Sequence, residues 1–153
     1  MQELISKKYI FVDKTYENQD ALFEELGQVL INDGYAKSNY IEALRQREEK
    51  FPTGLQTSRL KIAIPHTEPQ YVKKPCIVVT KLAKPVVFNE MGKFDSPIPV
   101  DMVVMMAIND GKRHLSTLQK IISIMGDEVL LDKLNGANTC DEIYEVFDYV
   151  INN

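Results

Sequence analysis

The sequence predicts an α/β fold in which a mixed β-sheet is sandwiched between helices. Three observations predict it. Short apolar runs of strand length alternate with segments whose apolar residues recur at helical spacing. One run, PVDMVVMMAI (99–108), is almost continuously apolar, as a central strand covered on both faces must be. Helix start and stop residues fall between the runs, which interleaves helices with strands.

Taken in order, YIFV (9–12) reads as a short strand. A helix follows from about Asn18 to Asp33, carrying Ala21, Leu22, Leu26, Val29 and Leu30 inward and stopping at Gly34. A second helix starts at Ser38 or Asn39, where Asn39 with Glu42 resembles a capping box. It buries Ile41 and Leu44, ends before Pro52, and holds Arg45, Arg47 and Lys50 near its end, the sign a helix C-terminus favours. A loop, PTGLQTSRLK (52–61), leads to a short strand, IAI (62–64). CIVVTKL (76–82) and PVDMVVMMAI (99–108) are the strongest strands, and PVVF (85–88) is a candidate for another. NDGK (109–112) reads as a turn. HLSTLQKIISIMG (114–126) reads as a helix with Leu115, Leu118, Ile121, Ile122 and Met125 inward. A short helix is expected around 127–134. A last one starts at the capping box Thr139–Glu142 and buries Ile143, Val146, Phe147 and Val150.

The 153 residues fit one domain, 1–153, large enough for a core without staples. With 44% hydrophobic and 26% charged residues, the composition is that of a soluble globular protein. A net charge of -4 without a clustered basic face argues against nucleic acid as a partner. The N-terminus lacks a secretory h-region, and no apolar run reaches the ~20 residues that span a bilayer. A cytoplasmic protein with no direct membrane insertion is expected, or a soluble module that serves a membrane partner; Met1 and the ending INN read as natural termini, while the sequence does not decide between a free-standing chain and a piece of a larger fusion. Cys76 lies in the apolar CIVV and reads as core, as do the methionines of MVVMM (102–106).

The two histidines carry the chemistry. His66 follows IAIP directly, and Pro65, with its fixed φ and missing N–H, stiffens that approach. His114 comes just after the strand ending at Ile108, at the N-terminal end of a helix. Functional groups of open α/β sheets gather beyond such strand ends. A neutral imidazole is a good nucleophile near pH 7. If it attacks phosphorus, the phosphoryl oxygens need donors, for which Arg47, a second imidazole and helix N-terminal N–H groups are the sources. Each residue alone reads more simply: His66 as structural or exposed, Arg47 as a solvated helix-end cation, His114 as a helix residue. Two histidines with Glu68 or Asp110 make a poor metal site without HxxxH, HxH or a cysteine pair. No GxSxG elbow, Walker loop or GxGxxG occurs.

Three blocks in order, REEKFPTGL (47–55), IAIPH (62–66) and MMAINDGKRHLSTLQKIISIM (105–125), resemble the type-2 enzyme IIA family of the sugar phosphotransferase system, the fructose–mannitol class. In that family an R-E pair leads to a T-G loop, then to A-[IV]-P-H, and later to H-L-x-x-L. PTGL and AIPHT resemble the galactitol-type branch, while the loop QTSRLK (56–61) is longer than in many members and Thr67 stands where glycine is common.

The resemblance implies a mixed sheet flanked by helices. It implies that His66 accepts a phosphoryl group on Nε2 from the phosphocarrier protein HPr and passes it to a cysteine of enzyme IIB, with the membrane component IIC downstream. His114 would stabilise the phosphoryl group, Arg47 would be the phosphate-side cation, and no cofactor would be needed. Phe51, Leu55 and Leu60 are expected on a shallow apolar rim around an exposed His66. The alternative output is regulatory, a phosphorylation-dependent protein that binds a target.

Overall fold

In the computed structural model, which describes residues 4–152, the chain forms five strands and five α-helices. The strands are β1 (Ile10–Lys14), β2 (Gly54–Leu55), β3 (Ile62–Ala63), β4 (Cys76–Asn89) and β5 (Pro97–Ala107). The helices are α1 (Gln19–Asn32), α2 (Tyr40–Lys50), α3 (Gly111–Ile124), α4 (Glu128–Gly136) and α5 (Cys140–Ile151). The sheet order is β1-β4-β5-β3-β2. β1 pairs parallel with β4 and β3 parallel with β5, whereas β4–β5 and β2–β3 are antiparallel. The sheet is therefore mixed, as expected.

β5 shows why the sheet is covered twice. Successive side chains of a strand point to opposite faces. Met102, Val104 and Met106 pack with Ile121, Ile124, Leu131, Leu134 and Phe147 of α3, α4 and α5. Val103, Met105 and Ala107 pack with Leu22, Phe23, Leu26, Leu30, Tyr40 and Leu44 of α1 and α2. The MVVMM run is core on both sides, and Cys76 is buried in the second layer.

Several elements differ from the sequence reading for local reasons. The two expected strands 76–82 and 85–88 are one long strand, β4, which hairpins onto β5 with a register irregularity between Lys81 and Val86. Asn39 is the N-cap of α2, but its side chain makes no cap bond. The helix is instead entered through a turn in which the Tyr40 amide donates to the Lys37 carbonyl at 3.0 Å. α3 begins three residues early, at Gly111, because the Asp110 side chain accepts from the Arg113 amide. Leu115 and Ile122 of α3 face outward, contrary to expectation, while Ile121 and Ile124 carry its buried stripe. The capping box of α5 is present: the Glu142 amide donates to Thr139 Oγ1 at 3.2 Å, and the Glu142 carboxylate accepts from the Asn138 amide at 3.0 Å.

Two features position the later site. β2 lies close against the end of β4, where a side chain at Gly54 would bring a Cβ to 2.7 Å from the Asn89 carbonyl oxygen, so the T-G step needs its glycine. α2 is tied to the sheet by the Tyr40 hydroxyl, which donates to the Met106 carbonyl at 3.2 Å.

Candidate functional site

The segment IAIPH leaves the sheet at a proline. β3 ends at Ala63, one residue sooner than predicted, since Pro65 has no N–H to continue a ladder. Pairing with β5 nevertheless persists: the Met106 amide donates to the Pro65 carbonyl at 3.0 Å, and His66 forms a parallel bridge with Met106. His66 is thereby fixed at its backbone by the central strand.

Its ring is fixed as well. Nδ1 lies 2.7 Å from the Ile64 carbonyl oxygen. A carbonyl only accepts, so Nδ1 carries the proton and Nε2 the lone pair. The His114 ring, in the first turns of α3, meets it edge to face at 4.9 Å between centroids and an interplanar angle of 61°. His66 is only 8% exposed, so the expected open histidine is in fact largely enclosed.

Burial sets its protonation. It pushes the His66 pKa from 6.5 down to about 4, and the nearby His114 and Arg47 charges act in the same direction. The Ile64 hydrogen bond and Glu68 oppose this shift without reversing it. His114 is also lowered, first by burial and then by Arg47. Both imidazoles are therefore neutral at neutral pH. Arg47, in the last turn of α2, pairs with Glu68 at 3.0 Å and lies over the Phe51 ring at 4.5 Å. His114 Nδ1 and Arg47 Nε are buried and without a hydrogen-bond partner among the described residues. Two nitrogen atoms near one imidazole thus retain unused hydrogen-bonding capacity.

The three residues singled out from the sequence come together, while parts of the expected rim do not. Phe51 is 57% exposed, but Leu55 is half-buried and Leu60 is a core residue, 2% exposed. The long 56–61 loop is tied elsewhere by its own contacts: Arg59 pairs with Asp132 of α4, and Thr57 Oγ1 donates to the Leu60 carbonyl. A second exposed apolar residue next to the site is Leu115, 56% exposed beside His114. The structure adds Glu68 as partner of Arg47, and Glu48 with Thr53 beneath the site. The spacing REEKFPTG held the only signal for the latter two. A groove of about 370 Å³ lined by Arg47, Lys50, Phe51 and Glu68 flanks the site. A larger groove, about 750 Å³, lies between α4 and α5 and contains none of the three site residues.

The family profile described as "Phosphoenolpyruvate-dependent sugar phosphotransferase system, EIIA 2" matches residues 3–150. The chain belongs to this family. The mannitol-specific phosphotransferase enzyme IIA component of Staphylococcus aureus is 30% identical over 149 residues, covering 97% of each chain. Among solved structures, the Escherichia coli complex of enzyme IIAMTL with phosphorylated enzyme IIBMTL matches with a TM-score of 0.76 at 23% identity, over 95% of this chain and 97% of that one. The nitrogen regulatory protein IIA-Ntr of Neisseria meningitidis matches with a TM-score of 0.77 at 23% identity, over 94% and 95%. These two likenesses establish the fold. Among the described residues, no helix is long and apolar enough to cross a membrane.

Proposed function

We infer that His66 is the phosphoryl-accepting residue of this enzyme IIA. The reading rests on one observation above all: Nδ1 is held by the Ile64 carbonyl, which leaves the Nε2 lone pair as the nucleophile. In the first step Nε2 attacks the phosphorus of a phosphohistidine on HPr. The new N–P bond forms as the donor's N–P bond breaks, and that electron pair returns to the donor imidazole. In the second step a cysteine thiolate of enzyme IIB attacks the same phosphorus. The Nε2–P bond breaks, and His66 recovers its neutral tautomer with Nδ1–H retained throughout.

His114 and Arg47 supply the electrostatics. The unpartnered Arg47 Nε–H is a donor, and His114 Nδ1 is one in its Nδ1–H tautomer; an incoming phosphoryl oxygen would satisfy both. Glu68 holds Arg47 at the surface, where such a pair is worth about 0–1 kcal/mol, so a phosphoryl dianion can take its place at small cost. Exposed Phe51 and Leu115 offer apolar surface to two successive partners, which fits small, transient interfaces.

The chain, 1–153, then acts as one cytoplasmic domain that feeds enzyme IIB and, through it, a membrane enzyme IIC. The strings PTGL and AIPHT support galactitol as the transported sugar alcohol, whereas the Staphylococcus aureus relative is named mannitol-specific. Deleting the gene and measuring growth and uptake on both polyols decides between them: loss on galactitol alone supports the first, and loss on mannitol alone overturns it. A regulatory output would use the same phosphohistidine, and the fold matches a nitrogen regulatory protein as closely as a transport component. Failure of the phosphorylated protein to load any enzyme IIB from its own source, while still accepting from HPr, would favour that output.

A further inference from the structure

Beneath the histidines lies a buried carboxylate that phosphoryl transfer does not itself use. Glu48 of α2 is 5% exposed. Both of its oxygens are occupied by one residue: Oε2 accepts from the Thr53 amide at 2.7 Å, and Oε1 accepts from the Thr53 hydroxyl at 2.8 Å. Thr53, 2% exposed, in turn receives the Ile64 amide at its hydroxyl oxygen, 3.2 Å, and at its carbonyl oxygen, 3.3 Å. The carbonyl of that same Ile64 holds His66 Nδ1. We propose that Glu48 and Thr53 are positioning residues for the phosphoryl-accepting ring, locking Ile64 so that its carbonyl fixes the His66 tautomer and aims Nε2. This rests on the carrier reading of His66.

The direction of each bond supports the assignment. The Thr53 hydroxyl has one proton, which goes to Glu48, so its oxygen is left facing the Ile64 amide as an acceptor. Without an acceptor at Glu48 the hydroxyl is free to rotate and turn its proton toward Ile64. Ile64 needs the anchor because it sits at the very end of its ladder: β3 ends at Ala63, the next residue is proline, and Thr53 is the last residue of the neighbouring segment to hold its amide. The link is positional. The Ile64 N–H and C=O belong to successive peptide units, so no polarisation passes directly from one to the other. Burying a carboxylate is costly unless its oxygens are paired, and here both are spent on the loop that carries the phosphoryl site. Burial raises the Glu48 carboxyl to about 7 while the two Thr53 bonds pull it down, as expected where desolvation and hydrogen bonding compete.

The test compares Thr53→Val, Thr53→Ser and Glu48→Gln in the full chain. Thr53→Val keeps the shape and loses the hydroxyl, and Thr53→Ser restores it. Two readouts are taken at about pH 7.5 on samples whose circular dichroism shows them folded. One is the ¹⁵N shifts of the His66 ring in unphosphorylated protein, which report the tautomer without any donor. The other is the single-turnover rate of phosphoryl acceptance from phospho-HPr. Misaimed attack costs up to about 100-fold per ångström of displacement, so a loss of about 10-fold or more is expected for Thr53→Val and Glu48→Gln. Both should also show mixed His66 tautomers, and Thr53→Ser should stay near the parent in both readouts. If Glu48→Gln does not fold, the Val/Ser pair decides. A folded Thr53→Val with the parent's tautomer and rate overturns the proposal, and so does a Ser variant no better than Val. A parent protein that accepts no phosphoryl group overturns the carrier role instead, while its tautomer comparison still judges the anchor.

Discussion

Acidification from about pH 7.5 to about pH 5.5 asks whether the fold keeps His66, the proposed nucleophile, neutral. Burial, His114 and Arg47 bring the His66 pKa to about 4. At pH 5.5 about 97% of such rings keep the free lone pair, against about 9% for an ordinary histidine near pKa 6.5. Phosphoryl acceptance should therefore show almost no loss from His66 over this range, where an unperturbed histidine would lose about 10-fold. Following the His66 ring ¹⁵N shifts through the titration separates its protonation from that of the donor. A midpoint near 6.5 would refute the reasoning, because it would mean that burial of the ring does not control its charge.

The same shift has a stability consequence. The folded pKa lies below the unfolded one, so between about pH 6.5 and 4 the unfolded chain binds the proton first and stability falls as pH drops. At about 1.4 kcal/mol per pH unit, the full shift amounts to about 3 kcal/mol. Glu48 acts oppositely. Its folded pKa is raised to about 7, so the folded state takes up that proton first and stability rises as pH falls from about 7 to 4.5. The parent's own profile is thus partly compensated. Urea unfolding of the parent and of His66→Gln at several pH values isolates the histidine: the gap between them should close in the variant's favour by up to about 3 kcal/mol toward pH 4. A gap independent of pH would contradict the shift.

Other substitutions separate chemistry from packing. Arg47→Gln removes a fixed charge beside the acceptor and should slow acceptance by about 10-fold or more in rapid-quench kinetics, with little change in melting temperature. His114→Ala should slow acceptance or onward transfer without abolishing phosphorylation, and a rate equal to the parent's would contradict its stabilising role. Leu60→Ala should cost about 2–5 kcal/mol in urea unfolding and leave the transfer rate of the folded fraction unchanged, since Leu60 fills core and not rim.

Much of this architecture was legible in the residues. The almost continuously apolar run of β5 announced a strand covered on both faces, and the fold delivers one layer to each side of it. Thr139 with Glu142 announced the start of α5 through a local hydrogen-bond pattern that needs no tertiary partner. Asn39 with Glu42 carried a similar signal, but a turn at Lys37 supplied the entry bond instead. Periodicity placed both Leu115 and Ile122 inward, yet α3 has a narrower buried stripe, and no local pattern reveals how wide a neighbouring element will cover. Leu60 escapes a local reading for the same reason: the core cluster it joins is built from residues distant in sequence. His66, His114 and Arg47 could be named as candidates from order and type, and the fold brings them together. The enclosure of His66 and its anchor through Thr53 to Glu48 depend on three segments meeting in space.

The central claim is that His66 alone carries the phosphoryl group. The most direct measurement incubates the protein with phosphoenolpyruvate, enzyme I and HPr and follows intact mass beside His66→Ala and His114→Ala. One acid-labile phosphoryl group is expected on the parent and on His114→Ala, and none on a folded His66→Ala. No gain on the parent, with the relay active on a control, or a gain that survives in His66→Ala, would contradict it.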